Sequence, residues 1–158
     1  MNLEPGLALD ARELLEPWFS PEYEQTPELA EYVEMHAVLA PSLSRGIFWY
    51  EEQKEDFEAA VAEFMQEGWG VDKEIGPFAA FSEEVAVAEE FADQASYGVV
   101  LVVEGLNGVS VLGLLQESGM AGVNVRKEKE WLVPSGQKVR FARMEAVGTM
   151  RFLYGSVA

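Results

Sequence analysis

Apolar positions recur at helical spacing through the first third of this chain and at strand spacing through much of the rest. Residues 8–18 and 27–40 form two helical stretches divided by a turn at Pro21, and the second carries Leu29, Val33 and Val38 as its apolar positions. Pro41 and Ser42 break that pattern. The run Gly46-Ile47-Phe48-Trp49-Tyr50 then predicts a short strand whose aromatic side chains supply core. Over residues 51–67, Phe57, Ala60, Val61 and Phe64 return every three or four positions, which predicts an amphipathic helix stopped by Gly68.

The second half reads mainly as strands. Residues 78–81 form a short one, and residues 82–94 a helix with Ser82 as N-cap and Glu83 and Glu84 set against the helix dipole. Residues 97–104, centred on Val99-Val100-Leu101-Val102-Val103, predict a strand buried on both faces. Residues 105–127 hold five glycines and little periodicity, so they are expected to be a long loop of the kind that carries function. Residues 131–133, a turn at Pro134-Ser135-Gly136, and residues 138–147 and 149–157 complete a set of antiparallel strands. The class is α+β, with helices mainly N-terminal, in one domain over residues 1–158.

Composition narrows the chemistry. The 158 residues include no cysteine and one histidine, His36, placed in a helical run. Thiolate metal sites, thiol nucleophiles and histidine-rich metal sites are thereby disfavoured, and a lone helical histidine is the expected role of His36. Asp and Glu number 28 against 11 Lys and Arg, a formal net charge of −17. That field repels phosphate backbones and anionic lipids, so neither nucleic acid nor a membrane is the expected partner. The N-terminus has no signal-like apolar core, which leads to the expectation of a soluble cytoplasmic protein. In so acidic a chain the few arginines become informative, because an anionic ligand would need one.

Three segments stand out. Ser44-Arg45-Gly46-Ile47 sits on the first strand; Ala79-Ala80-Phe81-Ser82-Glu83-Glu84-Val85-Ala86 runs from a strand into a helix that holds Phe91-Ala92; Glu128-Lys129-Glu130-Trp131-Leu132-Val133-Pro134 leads into a later strand. On an extended chain Glu128 and Glu130 would project to one face. Taken singly, each has a plain reading: a solvated acidic strand face, a surface ion pair for Arg45, an N-cap for Ser82.

In this order the three segments resemble the arginine-type mono-ADP-ribosyltransferases, over residues 43–147. The resemblance implies an ADP-ribosyltransferase-like fold, with N-terminal helices over residues 1–42 packed on a split antiparallel β core at 43–158 that binds NAD. It implies transfer of ADP-ribose from NAD to a protein side chain, arginine by family, with NAD as substrate and no metal. Glu130 would stabilise the ribose cation, Glu128 would orient or deprotonate the acceptor, Arg45 with Gly46 would meet the dinucleotide, Ser82 would position ribose or carboxylate, and Phe81 would pack on nicotinamide. These side chains, Arg45, Ser82 and Glu130 above all, would line one cleft. Ala80 departs from the family's Ser-x-Ser pattern. It keeps open a non-catalytic binding or virion-associated member of the fold, beside an NAD glycohydrolase; a phage-encoded or toxin-like origin fits either.

Overall fold

The computed structural model describes residues 26–70, 78–113 and 129–158. The helix expected at 8–18, most of the loop expected at 105–127, and Glu128 lie outside them.

Helix α1 (Pro27–His36) starts where Thr26 caps it, its hydroxyl accepting the Leu29 N–H at 3.2 Å, with Pro27 in the first turn. It stops earlier than its apolar spacing suggests. Val38–Leu39 leave the helix as a short strand, β1, because the sheet offers them backbone partners at Asn107 and Gly108. Strand β2 (Leu43–Trp49) leads through a single 3-10 turn, Glu51–Gln53, into α2 (Lys54–Glu67). Gly68 ends α2 at φ +76°, its N–H returning to the Phe64 carbonyl; a side chain there would strike the Val139 carbonyl. The chain continues through β3 (Trp69–Gly70), β4 (Phe78–Ser82), α3 (Val85–Ala92), β5 (Tyr97–Glu104), β6 (Asn107–Ser110), β7 (Glu130–Pro134), β8 (Lys138–Val147) and β9 (Met150–Val157).

All nine strands described join one sheet in the order β1-β6-β7-β4-β2-β5-β9-β8-β3. The sheet is split. Strand β2 matches β5 along its whole length, from Leu43 opposite Val103 to Trp49 opposite Tyr97, and β4 matches β7 along five residues. Between β2 and β4, however, the register is a single pair, Ser44 opposite Ser82. Two well-bonded half-sheets therefore meet at one point and fork beyond it.

Two expectations change here. The set is not wholly antiparallel, since β5 and β9 run parallel, an arrangement that the long connection through β6, β7 and β8 permits. The expected loop at 105–127 also contains β6, which pairs with both β1 and β7; its glycines hid a four-residue strand from a periodicity reading.

Helix α2 covers one face of the sheet, where Phe57 and Phe64 pack with Leu43, Phe81, Leu101, Val133 and Phe141. The other face carries α1 and α3. Helix α1 lays Leu29 and Val33 on Phe78, Val109 and Leu132, and α3 lays Ala88 and Ala92 on Val100. Within the aromatic run, Trp49 packs against the main core, while Tyr50 is 54% exposed and so is not core. His36 is a helical histidine, stacked on Tyr32 with Nδ1 at 3.0 Å from the Tyr32 carbonyl. Among the described residues no helix is long and apolar enough to cross a membrane.

Candidate active site

The single link between the half-sheets is where the motif residues converge. Ser44 on β2 lies opposite Ser82 on β4, and Ser82 lies opposite Glu130 on β7. Directly paired residues project to the same face, so two hydroxyls and a carboxylate form one row across three strands. Adjacent strands lie about 4.8 Å apart, which makes the row about 10 Å long. It belongs to the face that carries α1 and α3, in the interval between the seat of α1 on β6 and β7 and that of α3 on β2 and β5. Ser44 and Ser82 are buried, and Glu130 is half-buried.

Ser82 ends β4 and is not the helix N-cap. Its Oγ accepts the Glu84 N–H at 3.0 Å, tightening the turn, and α3 begins at Val85 with Glu84 in the cap position and no side-chain cap. The acidic pair therefore precedes the first helical turn instead of occupying it.

The chain is not extended at Lys129. Lys129 has φ +47°, a left-handed conformation uncommon for a side-chain-bearing residue, and the strand starts only at Glu130. Alternation along an extended chain is thus no ground for placing Glu128 and Glu130 on one face. Two contacts hold Lys129 in this conformation. Its carbonyl accepts the Glu83 N–H at 3.2 Å, and its ammonium lies 2.9 Å from Glu84 Oε1. Hydrogen bonding to Glu84, then the charge of Glu84, raises the Lys129 pKa above its ordinary value. The turn that delivers Glu130 is clasped to the turn that follows Ser82.

Arg45 adjoins this row without joining it. Strand alternation sends its side chain to the face opposite Ser44, Ser82 and Glu130, so those side chains do not line one surface as expected. The guanidinium instead occupies the fork, where β2 and β4 part: Nη1 donates to the Ala80 carbonyl at 2.8 Å. Burial lowers its pKa, though a guanidinium stays charged. Its Nε is buried without a hydrogen-bond partner, and no carboxylate pairs with it among the described residues. The surface ion pair that its sequence context allowed is absent there.

Gly46 and Phe81 are accounted for by packing. A Cβ on Gly46 would sit 2.1 Å from the Ala88 carbonyl oxygen, so the glycine lets α3 lie directly on β2. Phe81 is 3% exposed and meets Trp69 edge-on at 5.6 Å in the main core, on the face away from Ser82. That position withdraws it from the nicotinamide contact expected of it. Ser44 joins the row without having been singled out in the sequence: it stood beside Arg45 in the first motif, and only the strand register distinguishes their faces. Among the described residues no group of three or more His, Asp or Glu side chains is placed to hold a metal.

Comparison with protein-family profiles finds no match, and no curated protein matches. Solved structures do match. An ADP-ribosyltransferase from Clostridium botulinum superposes with a TM-score of 0.60 at 12% identity, over 98% of this chain and 89% of that one. The type III effector XopAI from Xanthomonas axonopodis pv. citri gives 0.52 at 18%, over 94% and 62%. The ADP-ribosyltransferase HopU1 of Pseudomonas syringae pv. Tomato DC3000 gives 0.51 at 14%, over 83% and 48%, so this chain spans about half the length of that protein. The split sheet and its flanking helices are therefore those of the ADP-ribosyltransferase fold, and this chain has that fold.

Proposed function

We propose that this chain is an NAD-dependent mono-ADP-ribosyltransferase that modifies a protein side chain, arginine being the favoured acceptor, and releases nicotinamide. The observation that carries the reading is the Ser82–Glu130 register at the centre of a split sheet of this fold. Arg45 bears on the reading in two ways. Strand alternation puts its side chain on the face away from Glu130, which counts against one shared surface. A half-buried cation at the fork with an unpartnered Nε and no carboxylate beside it, among the described residues, nevertheless suits an anionic ligand such as a pyrophosphate that reaches the fork.

The chemistry asks for a fixed carboxylate. The bond between the ribose anomeric carbon and the nicotinamide nitrogen breaks with its electron pair leaving on nicotinamide, and the ribose becomes oxocarbenium-like. A carboxylate held beside it interacts more strongly with that transition state than with the ground state, and so accelerates the step. Glu130 is that group. A guanidine nitrogen of the acceptor then bonds to the anomeric carbon and loses one proton, which Glu128 accepts in this scheme. With water as acceptor the same site hydrolyses NAD.

A second reading has one observation in its favour. Ala80 shares the face of Ser82 two residues earlier on β4 and contributes only a methyl group, so a non-catalytic binding member of the fold is the alternative. The test is an acceptor screen with labelled NAD read by mass spectrometry. Label on arginine of a protein acceptor supports the proposal; NAD bound without label transfer or nicotinamide release supports the alternative.

A further inference from the structure

The Ser44 hydroxyl is a buried polar group without a purpose in the fold alone. Its residue is 2% exposed, and its Oγ has no hydrogen-bond partner. Leaving a buried hydroxyl unsatisfied costs stability, and alanine would fit the same strand position without that cost. The neighbours on its face narrow what the hydroxyl can reach. Two positions along β2 is Gly46, which has no side chain; across on β5 is Val102, which is apolar; across on β4 is Ser82. Ser82 is thus the polar side chain of the sheet directly beside it, and the next residue in the row is Glu130.

We infer that Ser44 is a positioning residue for the proposed transferase site: its hydroxyl donates to Ser82 Oγ when substrate is bound and so sets the hydroxyl of Ser82 against Glu130. This rests on the function proposed above. Hydrogen bonds of catalytic groups are often open in the free enzyme and tighten in the complex, which is the behaviour required of a pair in register yet unbonded here. Ser82 Oγ accepts the Glu84 N–H at 3.0 Å, and a hydroxyl oxygen both donates and accepts, so Ser44 would act on a side chain that is already engaged. Ala80 sharpens the case, because β4 itself presents no second hydroxyl on this face beside Ser82. The neighbouring strand supplies one.

The experiment measures NAD turnover, by nicotinamide release, and thermal stability for the wild type, Glu130→Gln, Ser44→Ala, Ser44→Thr, and Ser44→Ala combined with Ala80→Ser. Ser44→Ala is expected to lower kcat about tenfold with KM for NAD unchanged, the worth of one hydrogen bond. Its Tm should hold or rise, since an unsatisfied buried hydroxyl has been removed. Ser44→Thr should keep kcat, and the added Ala80→Ser hydroxyl should restore part of it. Glu130-dependent turnover that is unchanged in Ser44→Ala overturns this inference and leaves the proposed function standing, as does a kcat loss that merely follows a fall in Tm. Absence of Glu130-dependent turnover in the wild type overturns both.

Discussion

Lys129 and Glu84 are joined at 2.9 Å, and the contact ties the turn before β7 to the turn before α3. Because Lys129 also sits at φ +47°, the backbone on the N-terminal side of Glu130 is held in a conformation that most residues avoid. Lys129→Gly should be more stable than Lys129→Ala by about 1 kcal/mol, since both lose the Glu84 contact and only glycine accepts the left-handed backbone freely. Chemical denaturation of the two variants measures this. Equal midpoints would mean that the conformation carries no strain.

The same pair sets a pH dependence. Glu84 raises the Lys129 pKa in the folded state, so the stabilisation is fully present below the ordinary lysine value of 10.5 and is lost as pH rises through the higher folded value. An NMR titration of the lysine side chains should show Lys129 titrating above the ordinary value and returning toward it in Glu84→Gln. No change in Glu84→Gln would contradict the assignment of Glu84 as the cause.

Gly46→Ala should be among the most damaging single-methyl additions in this chain. The new Cβ would meet the Ala88 carbonyl oxygen and the Ala92 nitrogen, both backbone atoms of α3 that cannot rotate away. Overpacking of this kind costs about 1–3 kcal/mol and would lift α3, and with it the turn after Ser82. A thermal melt with an unchanged midpoint would show that α3 yields freely.

Much of the fold was legible because its signals are local. The strand expected at 97–104 around the apolar run 99–103 is β5 to the residue, the spacing of Phe57, Val61 and Phe64 marks α2, and Gly68 marks its end. Strand β6 was not legible, since Asn107-Gly108-Val109-Ser110 has neither length nor alternation, and its pairing with β1 and β7 comes from chain segments far away. The site divides in the same way. Ser82 and Glu130 were singled out from motif order as candidates, whereas their being cross-strand partners, with Ser44 paired to Ser82, is a matter of register between distant strands. Phe81 and Gly46 had burial explanations that need the packed core and α3 to be seen.

Arg45 has two roles to separate. Arg45→Lys keeps a cation but loses the planar fork of donors, including the Nη1 bond to the Ala80 carbonyl. Under the proposed function it should weaken NAD binding at least about tenfold, the scale of a charge-assisted hydrogen bond. Calorimetry with NAD and with nicotinamide alone distinguishes the roles. Loss for NAD with nicotinamide unaffected marks an anion contact, and equal loss for both would reduce Arg45 to a prop at the fork between β2 and β4.

The role of Glu130 is decided by the rate of nicotinamide release from NAD, with and without a guanidinium acceptor, in the wild type and in Glu130→Gln. The wild type should turn over NAD, faster with acceptor, and the variant should lose about 10²–10³ in kcat at unchanged stability. Turnover that survives in Glu130→Gln, or a wild type that releases no nicotinamide, would contradict that role.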